Sequence, residues 1–214
     1  MKTKSKALLL TLCAVLLVAA SVMGTMAYLT STDKVENTFT VGNVTITLDE
    51  AKVNTDGTPA APAERVKANE YKLLPGHTYT KDPMVTVLNG SEASYIKMTV
   101  TFSKASALDA IFAPTGANLI SIFNGYDSAN WIYKDNTKDA NADTRTYEFW
   151  YKETVGAPTA DVALDALFDS ITVPGTITNE QLATIEGMTI TVNAYAIQAD
   201  GFANADAAWA AYAG

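Results

Sequence analysis

Between Tyr95 and Phe102 apolar and polar residues alternate without a break. Ile96, Met98, Val100 and Phe102 fall on one face, and Tyr95, Lys97, Thr99 and Thr101 on the other. Period two is the mark of a half-buried strand, because successive side chains point to opposite sides of an extended backbone. Met188–Ala199 repeats the pattern, with Ile190, Val192, Ala194 and Ala196 on one face and Thr189, Thr191, Asn193 and Tyr195 opposite. Two long strands of this kind each need neighbours for their backbone groups and an apolar layer to cover one face.

The rest of the chain supplies both. Phe39, Val41, Val44, Ile46 and Leu48 alternate with polar residues, and Gly42-Asn43 shifts the phase. A bulged strand is expected there. Met84–Leu88 is a strand with Val85 and Val87 on one face; the turn Asn89-Gly90-Ser91-Glu92 then predicts a hairpin with Tyr95–Phe102. Residues 54–69, with Asp56-Gly57, Pro59 and Pro62, read as an exposed loop. Trp131–Lys134 and Thr146–Thr154 are expected strands around a polar loop, Asp135–Arg145; Ala163–Phe168 fits either strand or helix. Short helices are expected at 106–112, at 117–123, from a cap at Thr178 or Asn179 through Ile185 with Gly187 closing it, and from Asn204 to Tyr212. Threonine-rich alternating strands around turns, with short helical insertions, predict a mainly β fold: an antiparallel β-sandwich.

The N-terminus has a different character. Lys2, Lys4 and Lys6 precede an apolar run from Ala7 to Met23, and Gly24-Thr25-Met26-Ala27 follows, with Tyr28 behind it. A cationic start, an apolar stretch and small residues at its exit make a secretory signal. The run is about 17 residues, short against the ~20 of a membrane span. Residues 1–27 are therefore expected to be a signal peptide cleaved between Ala27 and Tyr28, and 41–214 a single β-sandwich domain. The chain is expected to be secreted, to the extracellular matrix or cell surface. The only cysteine, Cys13, lies inside the apolar run, so the mature chain would carry no disulfide and no thiol chemistry. Neither lipidation nor a sortase-type C-terminal signal is indicated.

Two stretches carry a family resemblance. Gly24-Thr25-Met26-Ala27-Tyr28-Leu29-Thr30 with Asn37-Thr38-Phe39-Thr40-Val41-Gly42-Asn43-Val44, and Leu74-Pro75-Gly76-His77-Thr78-Tyr79-Thr80-Lys81-Asp82-Pro83 with Asn89-Gly90-Ser91, resemble the TasA/camelysin family of exported Gram-positive proteins. Counted end to end, 24–44 and 74–91 span 39 of the 214 residues. The resemblance implies processing by a SipW-type signal peptidase and a jelly-roll-like sandwich. It also implies assembly into biofilm-matrix fibres, in which the freed N-terminal segment adds a strand to a neighbouring copy. Residues 28–40 are the donor candidate, with Leu29, Val35 and Phe39 as the side chains to be buried. The expected partners are further copies of the same chain, the signal peptidase, and an accessory anchoring or nucleating protein.

Composition narrows the alternatives. The net charge is −8; residues 1–27 hold three of the 15 basic residues and none of the 23 acidic ones, so the mature chain carries 12 against 23, or −11. Such a chain is repelled by nucleic-acid phosphates, and no nucleic-acid partner is expected. Camelysin is described as a metallopeptidase, yet a zinc protease presents two histidines and a glutamate, and this chain has one histidine, His77, in a Pro-Gly turn. A serine nucleophile would have to use that same histidine. The expectation is no enzyme, no catalytic residue and no cofactor. Asp139, Asn141 and Asp143 match the first positions of a calcium loop, but Thr144 stands where glycine belongs and Trp150 where the bidentate glutamate belongs, so the motif fails. Tyr147, Phe149 and Tyr151 share one strand face with Trp150 opposite, a core pattern that could also serve a carbohydrate or protein contact. A structural, fibre-forming protein is the leading expectation; a non-fibrous surface adhesin or binding module is the alternative, and a camelysin-like metallopeptidase the third.

Overall fold

The computed structural model describes residues 6, 11–17, 42–112 and 123–212. The chain divides into two compact units, Met1–Val41 and Gly42–Gly214. In the first, residues 11–17 are helical and Leu12, Val15, Leu16 and Leu17 are exposed. Among the described residues no helix is long and apolar enough to cross a membrane.

The second unit is mainly β. Its elements in chain order are β1 (Ile46–Ala51), β2 (Arg65–Val66), β3 (Thr78–Thr80), β4 (Met84–Val87), β5 (Ser94–Ser103), α1 (Ala105–Phe112), β6 (Phe123–Asn124), β7 (Trp131–Asp139), β8 (Thr144–Tyr151), β9 (Val162–Ala163), β10 (Ser170–Thr172), α2 (Asn179–Thr184), β11 (Ile190–Gln198) and α3 (Ala205–Ala211). They form three antiparallel sheets, ordered β2-β1-β4-β9, β3-β10-β6 and β11-β5-β8-β7. The architecture is an antiparallel β-sandwich with short helical insertions.

The alternation of β5 sets the core. Ile96, Met98, Val100 and Phe102 have no exposed surface, nor have Tyr147 and Phe149 beside them on β8, nor Val85 and Val87 on β4. Each such side chain contributes ~1.5–3 kcal/mol by leaving water. Phe123 packs against Phe168 at 4.6 Å between ring centres and edge-on to Tyr147 at 5.8 Å, tying the small sheet to the large one. Gly57 makes room for the neighbouring core ring: its φ is +82°, and a Cβ there would lie 2.7 Å from the Tyr79 Cα.

Local signals held at the helices. Thr178 caps α2 in a full capping box with Gln181, Ile185 ends the turn, and Gly187 follows at φ +69°. Asn204 caps α3, its Oδ1 accepting from the Ala207 N–H at 2.9 Å.

Pairing departs from the sequence reading at several points. The strands at 84–87 and 94–103 form no hairpin: β4 pairs with β1 and β9, whereas β5 pairs with β11 and β8. A turn motif reports where the chain reverses, not which strand accepts the hydrogen bonds, and here the reversal carries the chain from one sheet to another. The polar loop expected at Asp135–Arg145 is mostly strand; β7 continues to Asp139 and β8 begins at Thr144, so only 140–143 turn, with Asp143 at φ 50°. Residues 134–139 carry only polar side chains, so no alternation marks the strand, and its pairing comes from β8. The strand expected from Phe39 starts at Ile46, and 42–45 are irregular instead of bulged; Phe39 and Val41 lie outside the described residues. So do residues 117–122 of the helix expected there, and Phe123 belongs to β6. The 54–69 loop contains the short β2, and the ambiguous 163–168 stretch enters from β9 and buries Leu164, Leu167 and Phe168.

Candidate functional site

Among the described residues two strands leave backbone groups open along one edge: β11, which ends its sheet, and β1, which the two-residue β2 covers only in part. Among the described residues β11 pairs only with β5. The Ser103 N–H donates to the Thr189 carbonyl and the Ala199 N–H to the Ala93 carbonyl. In an antiparallel ladder the bonded residues alternate. Odd-numbered residues of β11 therefore bond to β5, and Ile190, Val192, Ala194 and Ala196 turn their N–H and C=O groups the other way. The Thr45 carbonyl accepts from the Leu88 N–H, so by the same alternation Ile46 and Leu48 of β1 turn theirs away from β4. Only at Glu50 and Ala51 does β2 cover that side.

These edges flank a groove of about 1280 Å³. Consecutive residues Ile46 to Glu50 line it, and so do consecutive residues Glu186 to Val192. A strand face would show every second residue; unbroken runs mean that the groove meets the strands along their edges. Leu182 and Ile185 of the α2 region and Tyr71 and Leu73 of the preceding loop complete an apolar lining. Ile46, Leu48, Tyr71, Leu73, Leu182, Met188, Ile190 and Val192 are each half-buried against the core, which leaves apolar surface for an occupant.

One end of the groove is charged. Lys81 and Glu50, at 5% and 6% exposure, form a direct ion pair there, and the Asn69 Nδ2 donates to the other Glu50 oxygen at 2.9 Å. Tyr71 donates to the Thr80 carbonyl at 3.1 Å, and burial, reinforced by the Glu50 charge, pushes its hydroxyl well above the usual phenol range. Arg65 bridges Asp49 at 2.5 Å and Asp82 at 2.8 Å. Burial works against its charge, but these two carboxylates outweigh it and raise the guanidinium pKa. Lys67 reaches over β1 and donates to the Leu48 carbonyl at 2.5 Å. Lysine is a common guard of exposed strand edges.

The other sites considered from sequence resolve differently. His77 is exposed in its turn. Among the described residues no group of three or more histidine, cysteine, aspartate or glutamate side chains could hold a metal ion. Asp139 Oδ1 instead accepts from the Asn141 and Ala142 N–H groups, and Asp143 Oδ1 from the Ser106 N–H and hydroxyl. Of the aromatic strand, Tyr147 and Phe149 are core, and Tyr151 packs edge-on to Trp131 at 5.1 Å. Trp150 faces the opposite side beside Trp209, with the Lys134 Nζ 3.9 Å from its ring centre. The predicted cleavage pair Ala27 and Tyr28 and the donor side chains Leu29, Val35 and Phe39 lie outside the described residues. The groove was not foreseen as a place. Its signal was present in Leu48, Ile190 and Val192, but their strand alternation does not say which strands end a sheet.

No protein-family model, curated protein or solved structure matches this chain.

Proposed function

We propose that the chain is a secreted structural protein that assembles into extracellular, biofilm-matrix-type fibres, each copy giving its N-terminal segment to the groove of the next. One observation carries the reading: the groove is walled by strand edges, that of β11 and the part of β1 beyond β2, that no strand among the described residues pairs, with apolar side chains beneath. Such a site suits an extended segment, which pairs its own amides with the edge and seats alternate side chains in the lining. Residues 28–40 have the matching character. They contain no proline, place Leu29, Val35 and Phe39 at odd-numbered positions, and become a free end once residues 1–27 are removed. Cleavage between Ala27 and Tyr28 then acts as the assembly switch. The resemblance of 24–44 and 74–91 to the TasA/camelysin family points the same way, with a SipW-type peptidase and an accessory nucleating protein as the further partners.

Burial of the donor's apolar side chains gains several kcal/mol at ~25 cal/mol per Å². Ordering costs ~1–2 kcal/mol per backbone residue. The two are of similar size, so assembly depends on concentration or on a nucleus. The test is electron microscopy and sedimentation of the mature chain starting at Tyr28 beside a chain starting at Thr40, over a concentration series. Filaments from the first and monomers from the second are expected. Identical filaments from both, or none from either with nucleating partners supplied, would overturn the proposal.

A further inference from the structure

The open edge of β1 is only partly free. Of the backbone groups that Ile46 and Leu48 turn towards the groove, the Leu48 carbonyl already accepts from the Lys67 ammonium, 2.5 Å away. Lys67 is itself exposed and lines the groove, immediately after the short β2 that covers Glu50 and Ala51. The covering stops there: Arg65 and Val66 pair with β1, and from Lys67 onward side chains take over. Asn69 donates to the Ala51 carbonyl and accepts from the Val53 N–H, and Lys67 stretches back over Leu48. The ammonium thus occupies the position that the N–H of an added strand would need.

We propose that Lys67 is a displaceable gate of the strand-acceptor groove: it holds the Leu48 carbonyl in the unassembled chain and is expelled when residues 28–40 of a second copy pair with β1. This rests on the strand-donation reading above and adds its regulation. The contact suits a gate. It is charge-assisted, hence strong enough to discourage casual edge-to-edge pairing, yet it sits on an exposed flexible stem that can swing into water without leaving a buried charge. The Glu50–Lys81 pair cannot serve this way, because both of its groups are buried and fixed.

The experiment compares the mature full chain carrying Lys67→Met or Lys67→Arg with the unaltered chain. Methionine keeps the apolar stem and removes the donor; arginine restores a donor. Assembly is followed by light scattering. A charge-assisted hydrogen bond of this strength corresponds to roughly tenfold in an equilibrium constant, so Lys67→Met should nucleate about five- to tenfold faster, and Lys67→Arg should stay near the unaltered rate. In parallel, amine-reactive labelling of Lys67 is read by mass spectrometry before and after a synthetic 28–40 peptide is added in excess. Lys152, whose ammonium donates to the Ser128 carbonyl away from the groove lining, is the internal reference. Lys67 labelling should rise relative to Lys152 once the groove is filled. If the unaltered chain assembles but Lys67→Met assembles no faster and Lys67 labelling does not change, the gate is wrong and strand donation stands. If none of the three chains assembles and the peptide alters no labelling, strand donation fails and the gate with it.

Discussion

The carboxylate of Glu50 and the ammonium of Lys81 meet directly at the charged end of the groove, joining β1 to the residue that follows β3, with both side chains more than nine-tenths buried. A pair so placed fixes the distance between two sheets, since two buried charges offset their desolvation only in direct contact. The Asn69 amide on the second Glu50 oxygen holds the carboxylate in that orientation.

Removal of one partner should therefore cost far more than removal of both. Lys81→Met leaves a buried carboxylate with only an amide for company, and a loss of about 3–5 kcal/mol in unfolding free energy is expected. The double variant Glu50→Leu with Lys81→Met should recover much of that loss, because two apolar side chains of similar volume need no desolvation. Urea unfolding of the single and double variants measures the difference. A double variant as unstable as the single would show that the pair does more than neutralise itself.

The outer face of the large sheet holds α3 through two lysines and a set of rings, with the Lys134 Nζ 3.3 Å from Asp206. The Lys97 Nζ stands 4.6 Å from the Trp209 ring centre and 5.4 Å from that of Tyr195, and Trp209 packs against Tyr212 at 5.5 Å. Trp209 is only 7% exposed. Trp209→Ala should cost about 3–5 kcal/mol, and it should raise amide exchange in 205–211 before it raises exchange in β5. Exchange that rises equally everywhere would mean that α3 is no separate unit of stability.

Acid should act on the clasp between α1 and the β7–β8 hairpin. Asp109 accepts two hydrogen bonds from Arg145, at 3.1 and 2.6 Å, and one from Lys138 at 2.9 Å. Partial burial pushes its pKa up, but these cationic donors outweigh it and hold the carboxyl below the ordinary range. A carboxyl whose folded pKa is depressed contributes stability above its unfolded value of ~3.9, and that stability is lost as pH falls through the lower folded value. Asp109→Asn should thus be less stable than the unaltered chain by about 1–3 kcal/mol near neutrality, and the gap should close as pH falls below the carboxylate range. Urea unfolding of both chains at a series of pH values tests this; a gap independent of pH would remove the ionic account.

Strand identity was legible wherever one face met the core. Ile96 to Phe102 announced β5 because every second side chain is buried, and Thr178 with Gln181 announced α2 because the capping box is local chemistry. Residues 135–139 read as loop for the same reason in reverse: all five side chains are polar, and strand pairing there depends on the β8 partner, not on burial. The missed exchange of partners between β4 and β5 is of another kind. Val85 and Met98 carry equal strand signals whether they share a sheet or face each other across the core, and alternation is blind to the difference. The groove depended on that choice, since it lies where β11 ends its sheet and β1 runs beyond the short β2.

The edge of β11 allows a decisive substitution. Proline has no N–H and is tolerated in a strand only where that N–H faces away from the ladder. By the alternation that starts at Thr189 and Ser103, the Val192 N–H faces the groove and the Asn193 N–H faces Thr99 of β5. Val192→Pro therefore breaks no bond to β5, removes one docking donor, and puts a rigid ring beside the position of an incoming strand. Asn193→Pro, one residue on, removes a ladder bond in the most extensively paired sheet among the described residues. The expected outcome is that Val192→Pro keeps a cooperative unfolding transition close to that of the unaltered chain and forms no filaments, while Asn193→Pro loses the transition altogether. Circular dichroism melts and electron microscopy on the two variants read both effects. Filaments from Val192→Pro indistinguishable from those of the unaltered chain would show that the β11 edge is not where the donated strand pairs.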